Sequence, residues 1–204
     1  MEPFSNKSME KRVFIIHGWD GRPEEGIFPW LKKELQDKGF EVFSPAMPEP
    51  LNPQIDVWVT FLKQQIGIPN KDTILFGHSI GAQTILRYLE LLNKNEVIAG
   101  AAFLAGWTNL TDAAYETDED SVIAKPWLET PLNWDKIKAH SEKFIAIFSD
   151  DDPVVPISDA KIFESKLSAK IIIEHGKEHF SGSSGIKKLP SALSAILEIA
   201  TDNQ

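Results

Sequence analysis

Apolar residues along this chain of 204 residues fall into two kinds of pattern, short unbroken runs and longer stretches in which they recur every three or four positions. Val13-Phe14-Ile15-Ile16 is the first run, and four bulky residues in a row, three of them β-branched, predict a strand covered on both faces. Comparable runs predict strands over 40–43, 72–76, 97–104, 143–148 and 170–174. Between the first two, Ile27, Phe28, Leu31 and Leu35 share one helical face, and Gly39 ends that helix. A proline-rich connection (Pro45, Pro48, Pro50, Pro53) leads to a second helix marked by Ile55, Trp58, Val59 and Leu62. Further helices are expected at 80–92, 158–167 and 190–200. The stretch from 107 to about 139 has no clear period and reads as irregular, with Trp107, Trp127 and Trp134 set among acidic residues and prolines. Residues 1–11 are polar and read as a flexible lead-in.

Alternation of strand and helix throughout predicts an α/β class, with a mostly parallel sheet of about six strands, right-handed crossovers covering both faces, and no cap domain. The length suits a single domain over 1–204. A net charge of −9 argues against nucleic acid or an anionic membrane as partner. No apolar stretch approaches the ~18 residues of a membrane span, and no basic-then-apolar leader opens the chain, so a cytoplasmic location is expected. The absence of cysteine removes disulfides, thiolate metal sites and a cysteine nucleophile. No metal or cofactor is expected.

One of the apolar runs ends in chemistry. Thr73-Ile74-Leu75-Phe76 passes into Gly77-His78-Ser79-Ile80-Gly81-Ala82, a GxSxG elbow in which a serine is held in a tight strand-to-helix turn and only glycine fits two positions to either side. Ligands of open α/β sheets gather at the carboxyl ends of strands, so an acid and a base are sought just after later runs. Ser149-Asp150-Asp151-Asp152-Pro153 follows the fifth strand, and His175-Gly176-Lys177-Glu178-His179-Phe180 follows the sixth. The order Ser, Asp, His is that of an α/β-hydrolase, with any of three aspartates and either of two histidines available at this point. Ser79 would attack an acyl carbonyl, the histidine would take and return the proton, and the aspartate would fix the imidazole. Two backbone N–H groups are needed for the oxyanion, and Ile80 and Trp19, in the loop after the first strand, are placed to supply them.

The segments His17-Gly18-Trp19, Phe28-Pro29-Trp30-Leu31, Gly77 to Ala82, Ser149 to Pro156 and Gly176 to Phe180 together resemble the small capless α/β-hydrolases of the YdeN and retinoblastoma-binding serine hydrolase family. The resemblance implies that Asp152, immediately before Pro153, is the triad acid and that His179, immediately before Phe180, is the base. It also implies a serine hydrolase of small esters or amides. With no cysteine the chain has no LxCxE-type sequence, so a retinoblastoma-binding role is not carried over.

Plainer readings stand beside these. Trp107 and Trp134 are candidates to line a substrate pocket, and they and Trp127 serve equally as core under a long loop. His17 and His78 read as residues that hold loop backbones, His140 as a surface helix residue, Glu116 to Asp120 as a solvated loop, and Lys187-Lys188 as a solvated helix start. Two other functions fit the sequence: a binding or regulatory module on a hydrolase fold, and acyl transfer or perhydrolysis on the same triad.

Overall fold

Val13, Phe14, Ile15 and Ile16 are each at most 1% exposed, as an uninterrupted apolar run in a covered strand must be. They lie in β1 (Arg12–Ile16) of a computed structural model that describes residues 11–201. The lead-in expected at 1–11 therefore falls, but for Lys11, outside the described residues. The chain continues through α1 (Phe28–Gln36), β2 (Glu41–Phe43), α2 (Ile55–Ile66), β3 (Thr73–His78), α3 (Ile80–Leu91) and β4 (Gly100–Leu104). Then follow α4 (Asp118–Glu129), α5 (Trp134–Lys138), β5 (Phe144–Ser149), α6 (Asp159–Leu167), β6 (Lys170–Glu174) and α7 (Pro190–Ala200).

The six strands form one sheet in the order β2-β1-β3-β4-β5-β6, with every neighbouring pair parallel. Right-handed crossovers turn this order into layers. The step from β1 to β2 runs outward in one direction, and every later step runs in the other, so α1 is delivered to the opposite face from α2 and α3. Contacts agree: α1 packs with α7, while α2, α3, α5 and α6 pack in succession. The architecture is thus the three-layer α/β-hydrolase fold, and among the described residues nothing forms a separate cap domain. The reversal of direction lies between β1 and β3, where an α/β sheet opens a crevice at its carboxyl edge.

The stretch read as irregular contains two helices. Asp118, Glu119 and Asp120, expected to be a solvated loop, are the first turn of α4, where their charge faces the positive end of the helix. Thr117 caps that turn in a reciprocal box: its side chain accepts from the Asp120 N–H, and the Asp120 carboxylate accepts from the Thr117 N–H at 2.7 Å. Pro126 within α4 and the weak apolar period hid the helix from a reading by spacing. Its far end is pinned by the buried Arg87 of α3, whose Nη2 donates to the carbonyls of Trp127 at 2.7 Å and Thr130 at 3.1 Å. Trp127 is core: its ring packs edge-on to Trp58, and its Nε1–H donates to the Pro53 carbonyl at 2.9 Å. His140, expected on the surface, is 1% exposed because it closes the turn before β5 by donating from Nδ1 to the Glu96 carbonyl.

Candidate active site

The elbow is built by close approach. A Cβ on Gly77 would stand 2.6 Å from the backbone of Gly81, and one on Gly81 would stand 2.5 Å from the Ile16 carbonyl oxygen, so glycine is required at both places. Between them Ser79 adopts φ 53° and ψ −120°, a conformation that non-glycine residues rarely hold and that persists only where the surroundings over-determine it. Its N–H donates to the Leu104 carbonyl at 2.9 Å, and α3 starts at the next residue. As the first residue of α3, Ile80 has an N–H with no partner inside the helix. Trp19 follows Gly18 in the loop after β1, held there by an indole N–H donated to the Leu51 carbonyl at 3.1 Å.

Across the crevice, the loop after β6 presents His179 to the loop after β5. The His179 Nδ1–H donates to Asp152 Oδ2 at 2.9 Å, with Oδ1 at 3.2 Å, and neither Asp150 nor Asp151 bonds this ring. The Asp152 side chain is 2% exposed and is further held by the N–H groups of Val154 at 2.8 Å and Val155 at 3.0 Å. With Nδ1 committed to Asp152 as donor, Nε2 is the ring nitrogen left to exchange a proton. His175, the alternative base, points elsewhere: its side chain is 83% exposed and pairs with Asp150 at 2.6 Å. That contact raises the His175 pKa and lowers that of Asp150.

Two buried histidines support the loops, in keeping with their sequence reading. His17 accepts the Met47 N–H at Nε2, 2.9 Å, and so donates from Nδ1 to the Gly18 carbonyl, 2.8 Å. His78 donates from Nε2 to the His179 carbonyl at 2.8 Å. Burial lowers the pKa of both, that of His78 to about 3, with the nearby His179 ring adding to the effect.

Ser79, His78 and His179 open into one cavity of about 790 Å³. Trp19, Phe28, Ile80, Trp107, Leu110 and Phe180 give it apolar walls, and its charged lining comprises Asp20, Glu25, Glu116, Asp120 and Lys187. Lys187, read as a solvated helix start, thus precedes α7 and faces this cavity. Trp107 lines it as anticipated, whereas Trp134 does not. Trp134 opens α5 and packs edge-on to Phe163, centroids 6.0 Å apart, so its ring lies partly buried against the core.

Two residues with clear positional roles escaped the sequence. Asp159, 0% exposed at the start of α6, accepts from Asn109 N at 2.9 Å and Nδ2 at 2.7 Å and from Thr108 Oγ1 at 3.1 Å, which fixes the loop carrying Trp107. No local signal marks it, since an aspartate in a first helical turn is commonplace. The other is Asp151, read only as a rival for the triad acid, although three aspartates facing a loop of similar span were visible.

The chain is 30% identical over 183 residues to YdeN of Bacillus subtilis (strain 168), which covers 89% of this chain and 92% of that protein. It is 27% identical over 165 residues to the serine hydrolase RBBP9 of Rattus norvegicus, covering 80% and 78%. The crystal structure of the B. subtilis ydeN gene product superposes with a TM-score of 0.84 at 26% identity, over 93% of this chain and 98% of that one. The match to the serine hydrolase family runs over residues 13–198, a span that takes in the elbow and both loops of the crevice, and the chain belongs to that family.

Proposed function

We propose that the protein hydrolyses a small carboxylic ester or amide through an acyl-enzyme intermediate, with Ser79 as nucleophile, His179 as general base and Asp152 as the acid that orients it. The observation that carries this reading is the pairing of His179 Nδ1 with a nearly buried Asp152 beside a cavity that Ser79 also lines. In the acylation step Ser79 Oγ attacks the carbonyl carbon as His179 Nε2 takes its proton; the C–O or C–N bond then breaks, and the leaving group departs with that proton. Water repeats the sequence, its proton passing to His179, and the released acid leaves Ser79 free. Asp152 stays ionised and stabilises the imidazolium formed in each half.

The oxyanion is assigned to the N–H groups of Ile80 and Trp19. Both residues line the cavity, and a preorganised donor of this kind contributes about 3–4 kcal/mol to the transition state. Trp107 is assigned to the acyl or leaving-group pocket. Membership of the serine hydrolase family supports the mechanism over a binding module, and no observation favours another acyl acceptor over water.

The test is labelling with a fluorophosphonate probe, with parallel assays on short-chain p-nitrophenyl esters. Wild type is expected to label stoichiometrically and to turn over, and Ser79→Ala to do neither. Folded wild type that takes up no probe would overturn the reading.

A further inference from the structure

β5 and β6 end in register, with Ser149 beside Glu174, and the Asp150 N–H continues the ladder to the Glu174 carbonyl at 3.1 Å. The two loops that follow therefore leave the sheet side by side, and their side chains meet in order. Asp150 takes the His175 ring at 2.6 Å and the Gly176 N–H at 3.1 Å. Asp151 takes the next two N–H groups on Oδ1, Lys177 at 3.0 Å, shared with Ser149 Oγ at 3.0 Å, and Glu178 at 2.9 Å. Asp152 takes His179. Three consecutive aspartates thus hold five consecutive residues of the base loop.

The loop needs such holding. Gly176, Glu178 and Phe180 have φ of 63°, 47° and 54°, so left-handed residues alternate on both sides of His179, and two of the three carry a side chain. Each costs on the order of 1 kcal/mol, and the conformation persists only if the surroundings impose it. Asp151 is equipped to do so: Ser149 Oγ–H, itself buried, donates to the same Oδ1 at 2.6 Å and fixes the carboxylate against the end of β5.

Resting on the proposed triad, we infer that Asp151 is a positioning residue for His179, setting the base loop against Asp152 and Ser79 through the backbone N–H groups of Lys177 and Glu178. It touches neither substrate nor the reacting atoms. Its acceptor geometry matters, and its charge matters little, because an amide oxygen accepts the same bonds. The hydrogen bonds to Ser149 and Glu178 hold its carboxyl below the usual carboxylate range.

The experiment compares Asp151→Ala, Asp151→Asn and Asp152→Asn, with kcat normalised to the fluorophosphonate-titrated serine so that unfolded protein does not count. Asp151→Ala is expected to lower kcat about tenfold or more at nearly constant KM, since small misplacement of a catalytic group is costly. Asp151→Asn is expected to recover activity to within about threefold of wild type, whereas Asp152→Asn stays about a thousandfold or more down. Adding Asp151→Ala to Asp152→Asn is expected to cost little more, because both act through one imidazole. Deuterium exchange over 175–180 is expected to speed up in Asp151→Ala, a readout independent of activity. If wild type labels and turns over but Asp151→Ala matches it, or Asp151→Asn is as impaired as Asp151→Ala, the inference fails alone. If wild type itself neither labels nor turns over, the triad reading fails and takes the inference with it.

Discussion

The imidazole of His78 donates from Nε2 to the carbonyl of His179 at 2.8 Å, tying the residue before Ser79 to the loop across the crevice. The Nε2–H donor is present in either protonation state, and burial keeps the ring neutral: the His78 pKa is lowered to about 3 by burial first and by the nearby His179 second. In the unfolded chain the same group titrates near 6.5. Between those values the unfolded state binds a proton that the native state refuses, so stability rises with pH through the window and is lost as pH falls below about 6.5. His17, lowered by burial, adds in the same direction. His78→Gln keeps an N–H donor and takes up no proton. Urea unfolding at pH 7 and pH 4.5 is expected to show the variant losing about 2 kcal/mol less than wild type on acidification. Equal losses would mean that His78 titrates normally in the fold.

The two histidines of the base loop offer a second test. His175 is largely exposed and bonded to Asp150, while His179 is 15% exposed at its side chain and bonded to Asp152. His175→Ala is expected to keep kcat within about threefold, and His179→Ala to lose on the order of 10³ or more. Rates on a p-nitrophenyl ester, scaled to soluble protein, decide between them. A reversal would move the base to the surface pair.

Residues 13–16, 170–174 and 190–200 show what was legible. The first answers to burial on both faces and the last to burial on one, whereas 170–174 is the edge strand β6, only partly covered and with Ile173 39% exposed; a parallel sheet with crossover helices follows from the order of elements. The elbow was legible because steric need leaves glycine visible at fixed spacing, and Asp152 and His179 were singled out through resemblance and then found bonded. Less could be read where stability comes from caps and single polar contacts. The helix α4 rests on the Thr117 and Asp120 box and on Arg87, which is distant in sequence, and its first turn looks like a solvated acidic loop. His140 reads as polar and sits in the core with its Nδ1 bonded to the distant Glu96 carbonyl and its Nε2 without a partner. Trp134 and Trp107 are alike in sequence. Packing on Phe163 leaves the first only partly buried, whereas the second is 2% exposed and lines the cavity.

That separation is measurable. Trp107→Phe shortens one wall of the cavity, and a methylene of pocket fit is worth about 1–3 kcal/mol. The ratio of kcat/KM for butyrate over acetate esters is therefore expected to shift by about fivefold or more, with a fall in Tm as well because Trp107 is 2% exposed. Trp134→Phe retains an aromatic ring against Phe163 and leaves the cavity alone, so its ratio is expected to equal that of wild type while its Tm falls. If Trp134→Phe changes the chain-length ratio and Trp107→Phe does not, the cavity described around Ser79 is not where the acyl chain sits.

The elbow's dependence on glycine is itself testable apart from catalysis. A methyl on Gly81 would come within 2.5 Å of the Ile16 carbonyl oxygen and 2.6 Å of the His17 carbonyl oxygen, so α3 would have to move away from the end of β1. Backbone atoms cannot swing aside as a side-chain tip can, and overpacking of this kind costs about 1–3 kcal/mol or more. For a domain of this size that corresponds to a fall in Tm of roughly 3–10 °C. Gly81→Ala is expected to show this fall by calorimetry. Its remaining folded fraction is expected to label with fluorophosphonate more slowly than wild type, because the displacement moves Ser79 and the Ile80 N–H together. Gly39→Ala provides the contrast: Gly39 has φ 86° but open space around it, so its cost is conformational alone and labelling of its folded fraction is expected to match wild type. A Gly81→Ala protein with unchanged Tm would mean that the contact between the start of α3 and the end of β1 is looser than the structure places it.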